Sequence, residues 1–67
     1  MCESNIIKKK NGEEIVLAED IDFIKVISGD KLLIRTVLGE ERVIDGEIEE
    51  VDLHGHKIIL RSVNKED

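Results

Sequence analysis

The stretch Asn5-Ile6-Ile7-Lys8-Lys9-Lys10-Asn11-Gly12-Glu13-Glu14-Ile15-Val16-Leu17 decides the fold class. Two runs rich in Ile and Val, residues 5–8 and 15–17, flank an Asn-Gly pair. Both residues of such a pair tolerate positive φ, which a type I′ turn between antiparallel strands demands. The stretch reads as a β-hairpin, and the rest of the chain follows the same pattern. Residues 19–22 form an acidic connection with room for one helical turn. A third strand spans 23–27. Ser28-Gly29-Asp30 turns the chain into 31–37, the longest strand candidate. Gly39 breaks the next connection, Arg42-Val43-Ile44 is a short strand, and Asp45-Gly46 is a turn or bulge. Ile48, Val51 and Leu53 share the following strand, and their broken alternation predicts a bulge near Glu49-Glu50. His54-Gly55 turns the chain into a last strand over 56–63, and 64–67 are expected to fray.

Six or seven short strands at this spacing predict an all-β chain: a small antiparallel barrel of SH3-like type, one domain over residues 1–67. Three runs are apolar on both faces: Ile15-Val16-Leu17, Leu32-Leu33-Ile34 and Ile58-Ile59-Leu60. A half-buried strand would alternate. One face fills the barrel, and a homodimer interface is the simplest cover for the other. Size argues the same way, since a domain this small buries only about 60% of its unfolded surface, and association adds buried area.

Composition narrows the function. The chain has 67 residues, 16 acidic against 10 basic, and a net charge of −6, a balance that repels polyphosphate. Phe23 is its one aromatic residue, so it offers no platform for stacking bases. No segment holds the ~20 apolar residues that span a bilayer. The N-terminus lacks the basic and apolar regions of a signal peptide. One cysteine without a disulfide partner fits a cytoplasmic protein.

That cysteine, Cys2, follows the initiator methionine directly. If Met1 is removed, the chain begins with a free α-amine on a cysteine. An α-amine titrates at about 7.7–8.0 and a thiol at about 8.5, so a metal can deprotonate both. Together they close a five-membered N,S chelate that backbone amide nitrogens can extend. Nitrogen-rich square-planar coordination with sulfur points to Ni(II) or Cu(II). One chelate fills half of a four-coordinate site, and a second chain at a two-fold axis would fill the rest. If Met1 stays, the Cys2 thiolate and its backbone amide form a different chelate. The bland alternative is an incidental exposed thiol.

Other candidates carry weaker signals. His54 and His56 flank Gly55 and could bind a metal as a secondary pair, or stand as solvated turn residues; His56 could also cap or pair with an acidic neighbour. Glu13, Glu14, Glu19, Asp20 and Asp22 lack the spacing of a calcium loop and read as a solvated face. Lys8, Lys9 and Lys10 form the one basic run and carry the alternative reading, a small RNA-binding or protein-interaction module without metal. The acidic balance argues against it. Catalysis would need Cys2 with His54 or His56, and a chain terminus is a poor place to preorganise a nucleophile. The chain reads as a non-enzyme.

Several stretches add up to a resemblance. They are Met1-Cys2, Lys31-Leu32-Leu33-Ile34-Arg35, Leu38-Gly39-Glu40-Glu41, Asp45-Gly46-Glu47-Ile48, Val51-Asp52-Leu53 and His56-Lys57-Ile58-Ile59-Leu60. In these, and in length and order, the chain resembles the CooT-like proteins, small nickel-binding accessory proteins of carbon monoxide dehydrogenase maturation. The resemblance implies a small antiparallel β fold, a homodimer, and Ni(II) bound by Cys2 of each chain at the dimer interface. It implies delivery to an apo-metalloenzyme client such as carbon monoxide dehydrogenase. Cys2 alone carries over as a ligand; Met1 and Glu3 could lend backbone nitrogen by chelate geometry. Hydrogenase maturation chaperones also begin Met-Cys but continue with an apolar, proline-containing segment. Here Glu3-Ser4-Asn5 follows and the chain has no proline.

Overall fold

In the computed structural model, which describes residues 3–61, Asn11 and Gly12 take φ of 55° and 81°. That is the left-handed pair a type I′ turn requires, and it joins β1 (Ser4–Lys10) to β2 (Glu13–Ser28). β3 (Lys31–Thr36), β4 (Glu41–Asp45), β5 (Glu47–Asp52) and β6 (Lys57–Arg61) follow. Cys2, the expected end of the last strand and the expected frayed tail at 64–67 lie outside the described residues.

The six strands form one curled half-barrel sheet in the order β4-β3-β2-β1-β6-β5. Four pairings are antiparallel, as the hairpin logic predicts, but β1 pairs with β6 in parallel, with Asn5 beside Lys57 and Lys8 beside Leu60. The sequence reason is the pair of apolar runs. Ile6-Ile7 and Ile58-Ile59-Leu60 are buried or nearly so on both faces, as strands of a parallel pair usually are.

β2 is the corner of the sheet. Its first half pairs with β1 and its second half with β3, and Ile21 pairs with both Ser4 and Thr36. Residues 19–22 therefore stay in the strand and form no helical turn. Ile21, 2% exposed, is anchored in the core, so the chain cannot leave the sheet there. It bends instead at Asp20, with φ of 57° and a register shift beside it. The bent backbone is held on both sides. Asp20 N–H donates to Asn5 Oδ1 at 3.3 Å, and Val37 N–H donates to the Asp20 carbonyl at 2.9 Å. The bulge expected near Glu49-Glu50 is present, as a register shift between Ile48 and Glu50.

The core lies on the concave side: Ile6, Ile21, Leu32, Ile34 and Leu60, with Leu17, Ala18, Ile24, Ile44 and Ile58 packed against it. Each of the five buried Ile and Leu side chains stabilises the fold by about 1.5–3 kcal/mol relative to leaving it exposed. Ile7 and Ile59 pair with each other and are also buried, outside that cluster. Part of the second apolar face is thus covered within one chain. Ile15, Val16, Val26, Ile27, Val43 and Val51 stay exposed.

Candidate functional site

β1 starts where the β5–β6 turn closes, and Glu3 to Asn5 lie at this meeting point. The turn runs Leu53-His54-Gly55-His56. Asp52 shapes it, because its carboxylate Oδ1 accepts from Gly55 N–H at 2.9 Å, a local bond that short acidic side chains favour in turns. His56 then adopts φ of 59°, a region that histidine enters more readily than most residues.

His56 grips the start of β1 twice. Its backbone carbonyl accepts from Asn5 N–H at 2.9 Å. Its ring Nδ1 lies 3.0 Å from the Glu3 carbonyl oxygen. A carbonyl only accepts, so Nδ1 is the donor in this contact. Ser4, between the two gripped residues, is buried. Glu3 is half-buried and is covalently joined to Cys2.

Beside this point lies a hollow of about 210 Å³ lined by Ser4, Ile21, Asp22, Phe23, Ile24, Leu53 and Ile58. Its walls are mostly apolar. Leu53 is 77% exposed. The Arg35 guanidinium stacks over the Phe23 ring at 4.4 Å from the centroid and approaches Asp22 at 3.7 Å. A second hollow, about 240 Å³, opens between Leu17, Ala18, Ile34, Thr36, Glu40 and Arg42. Arg42 there donates to the Leu17 carbonyl at 2.9 Å and ties β4 to β2.

The other sequence candidates are distributed differently. His54 is exposed in the same turn as His56. Glu13, Glu14, Glu19, Asp20 and Asp22 spread along β2, and among the described residues no three or more His, Cys, Asp or Glu side chains converge as a metal site. Lys9 and Lys10 face Glu14 and Glu13 across the β1–β2 register, so carboxylates stand opposite the basic run. Other charges brace the edge strands. Lys31 pairs with Asp45 across β3–β4, and its ammonium is held above its usual range by that hydrogen bond and charge. Arg61 pairs with Glu47 across β5–β6 at 2.8 Å, and the same two effects raise it. Local reasoning missed the grip on Glu3. Its partners are 53 residues apart, and the sequence signal was no more than a histidine next to a turn glycine.

This architecture defines a small all-β module: an open half-barrel with Glu3 held at the β5–β6 turn, and with no helix among the described residues long and apolar enough to cross a membrane. The chain belongs to the CooT family of CO dehydrogenase accessory proteins, whose family model matches residues 1–61. Its fold is that of the crystal structure of a protein assigned as CooT from Carboxydothermus hydrogenoformans. That similarity has a TM-score of 0.82 and 24% identity, and it covers 94% of this chain and 100% of the other. Among curated proteins none matches.

Proposed function

We propose that this protein is a nickel-binding accessory protein that holds Ni(II) through Cys2 of two chains and delivers it to an apo-metalloenzyme such as carbon monoxide dehydrogenase. The observation that carries this reading is the family match, which begins at residue 1 and so includes Met1-Cys2. Nickel is cargo here, bound and passed on. The donor chemistry suits it: a thiolate with an adjacent amine or deprotonated amide favours square-planar Ni(II) over hard ions. No cluster of three or more donor side chains forms among the described residues of one chain. The exposed apolar residues near the start of β1, Leu53 and Phe23, favour a homodimer that covers them. His54 and His56 are secondary donors in this reading, and the protein works in the cytoplasm, where its thiol stays reduced.

Calorimetric titration of Ni(II) into tag-free protein, with the N-terminus checked by intact mass, tests the reading. One nickel per two chains is expected, with a thiolate-to-metal absorption band, and both are lost in Cys2→Ser while the far-ultraviolet spectrum stays unchanged. Equal affinity in Cys2→Ser refutes it. Salt-sensitive RNA binding dependent on Lys8, Lys9 and Lys10 would replace it with the nucleic-acid alternative.

A further inference from the structure

The two halves of β2 face different neighbours. β3 pairs with it from Ile21 onward, while residues 13–18 pair with β1. β4 ends the sheet, so among the described residues no strand follows it. A gap is left between β4 and the first half of β2, and a side chain crosses it: Arg42 Nη2 donates to the Leu17 carbonyl at 2.9 Å. The hollow of about 240 Å³ lies in this gap. Its apolar wall is Leu17, Ala18 and Ile34, and Ile34 stands directly opposite Arg42 in the β3–β4 register. Glu19 on β2 and Glu40 just before β4 also line it. The backbone of Glu40 is fixed, since its N–H donates to Thr36 Oγ1 at 3.2 Å and its carbonyl accepts from Thr36 N–H at 2.8 Å.

Arg42 forms no ion pair among the described residues, although two carboxylates line the same hollow. A guanidinium held on one nitrogen keeps further N–H donors in a fixed fork that suits a carboxylate. The carboxylate must come with an apolar group close by, because Arg42 and Ile34 are cross-strand neighbours, whose Cβ atoms stand about 4.5–5.5 Å apart. An acidic side chain inside an extended peptide does not meet this demand, since its neighbours point to the opposite face. A single Cα that carries a carboxylate, an ammonium and an aliphatic side chain does. We propose that this hollow binds a free aliphatic α-amino acid of leucine size: its carboxylate on Arg42, its ammonium facing Glu19 and Glu40, and its side chain against Leu17, Ala18 and Ile34. Sites for drug-sized ligands run to about 300–1,000 Å³, so a smaller hollow suits a ligand of this size. The inference is independent of the nickel reading and of Cys2. A ligand seated there joins β4 to β2 by more than the Arg42 bond, and it stabilises the fold by mass action.

L-Leucine is titrated into the full chain while backbone amide shifts are followed by heteronuclear NMR. Saturable shifts are expected at residues 17–19, 34–36 and 40–42, with a thermal midpoint that rises with leucine concentration. Leucinamide lacks the carboxylate and N-acetylleucine lacks the ammonium, and each is expected to bind about tenfold more weakly or worse. Arg42→Gln removes the charge and keeps a donor for the Leu17 carbonyl. A second variant, Glu19→Gln with Glu40→Gln, removes both anions and keeps the backbone bonds of Glu40. The hollow is open to water, so a loss of about tenfold is expected in each, the low end for hydrogen bonds to charged groups. Circular dichroism checks that both variants fold; should Arg42→Gln not fold, the glutamine pair decides. Leucine without saturable shifts overturns the inference, as does leucine bound equally by wild type and the folded variants. N-Acetylleucine bound as tightly as leucine makes the hollow a seat for the C-terminal residue of a peptide and overturns it. Leucinamide bound as tightly removes the role given to Arg42 and overturns it as well.

Discussion

Gly46 offers the sharpest test of how the half-barrel is built. It joins β4 to β5, takes φ of 147°, and its N–H donates to the Asp30 carbonyl at 2.8 Å. A Cβ there would lie 3.2 Å from Leu60 Cδ1, 3.5 Å from Leu60 Cβ and 3.6 Å from the Arg61 carbonyl oxygen. Leu60 is 1% exposed and part of the core, so it has little room to give way. Gly46→Ala thus combines two costs. Backbone strain in a glycine-favouring region contributes about 1–3 kcal/mol, and overpacking against a core side chain about 1 kcal/mol, the low end for a single methyl. The sum is about 2–4 kcal/mol, against a stability of about 3–10 kcal/mol for a chain this long. The midpoint of thermal unfolding should fall by roughly 10–25 °C. Gly12→Ala and Gly29→Ala serve as controls. Gly12 has φ of 81° with open space around the site of its Cβ, so strain acts alone, at about 1 kcal/mol. Gly29 has open space and no left-handed φ, so its change should stay within about 0.5 kcal/mol. Urea unfolding followed by circular dichroism, at one protein concentration so that association is held constant, ranks the three. A Gly46→Ala protein as stable as Gly29→Ala would refute the packing described at the β4–β5 junction.

Two further outcomes follow from the turn and the edge charges. Gly55→Ala places a Cβ 2.6 Å from Asp52 Oδ2 and pushes away the carboxylate that Gly55 N–H bonds. It should cost about 0.5–1.5 kcal/mol, and urea melts should show little added cost in an Asp52→Ala background, since both changes break the same bond. The Lys31–Asp45 pair raises the lysine above its ordinary 10.5, so its contribution is present below about pH 10.5 and is lost as pH rises through the higher folded-state value. Thermal midpoints of wild type and Asp45→Asn should differ slightly at pH 7 and low salt, and converge both in 1 M salt and at strongly alkaline pH. A gap that persists under both conditions would assign Asp45 a role other than charge.

Local chemistry made much of the chain legible. Asn11-Gly12 announced its hairpin because a two-residue turn selects residues that accept positive φ, and both are observed there. The broken spacing of Ile48, Val51 and Leu53 announced the β5 bulge, since strand side chains alternate with a strict period of two. Residues 19–22 misled for the same local reason. A run of Glu and Asp resembles a solvated connection, yet Ile21 within it is a core residue and holds the whole run in β2.

Strands, turns and the position of Cys2 are properties of neighbours in sequence, and short-range sterics and hydrophobic period suffice to read them. The parallel seating of β6 on β1, the corner in β2 and the grip of His56 on Glu3 are of another kind. They join residues as much as 53 positions apart. No local preference encodes such a pairing. It emerges when apolar runs compete to leave water, and the arrangement that buries Ile6, Ile7, Ile59 and Leu60 together brings the β5–β6 turn beside the start of β1.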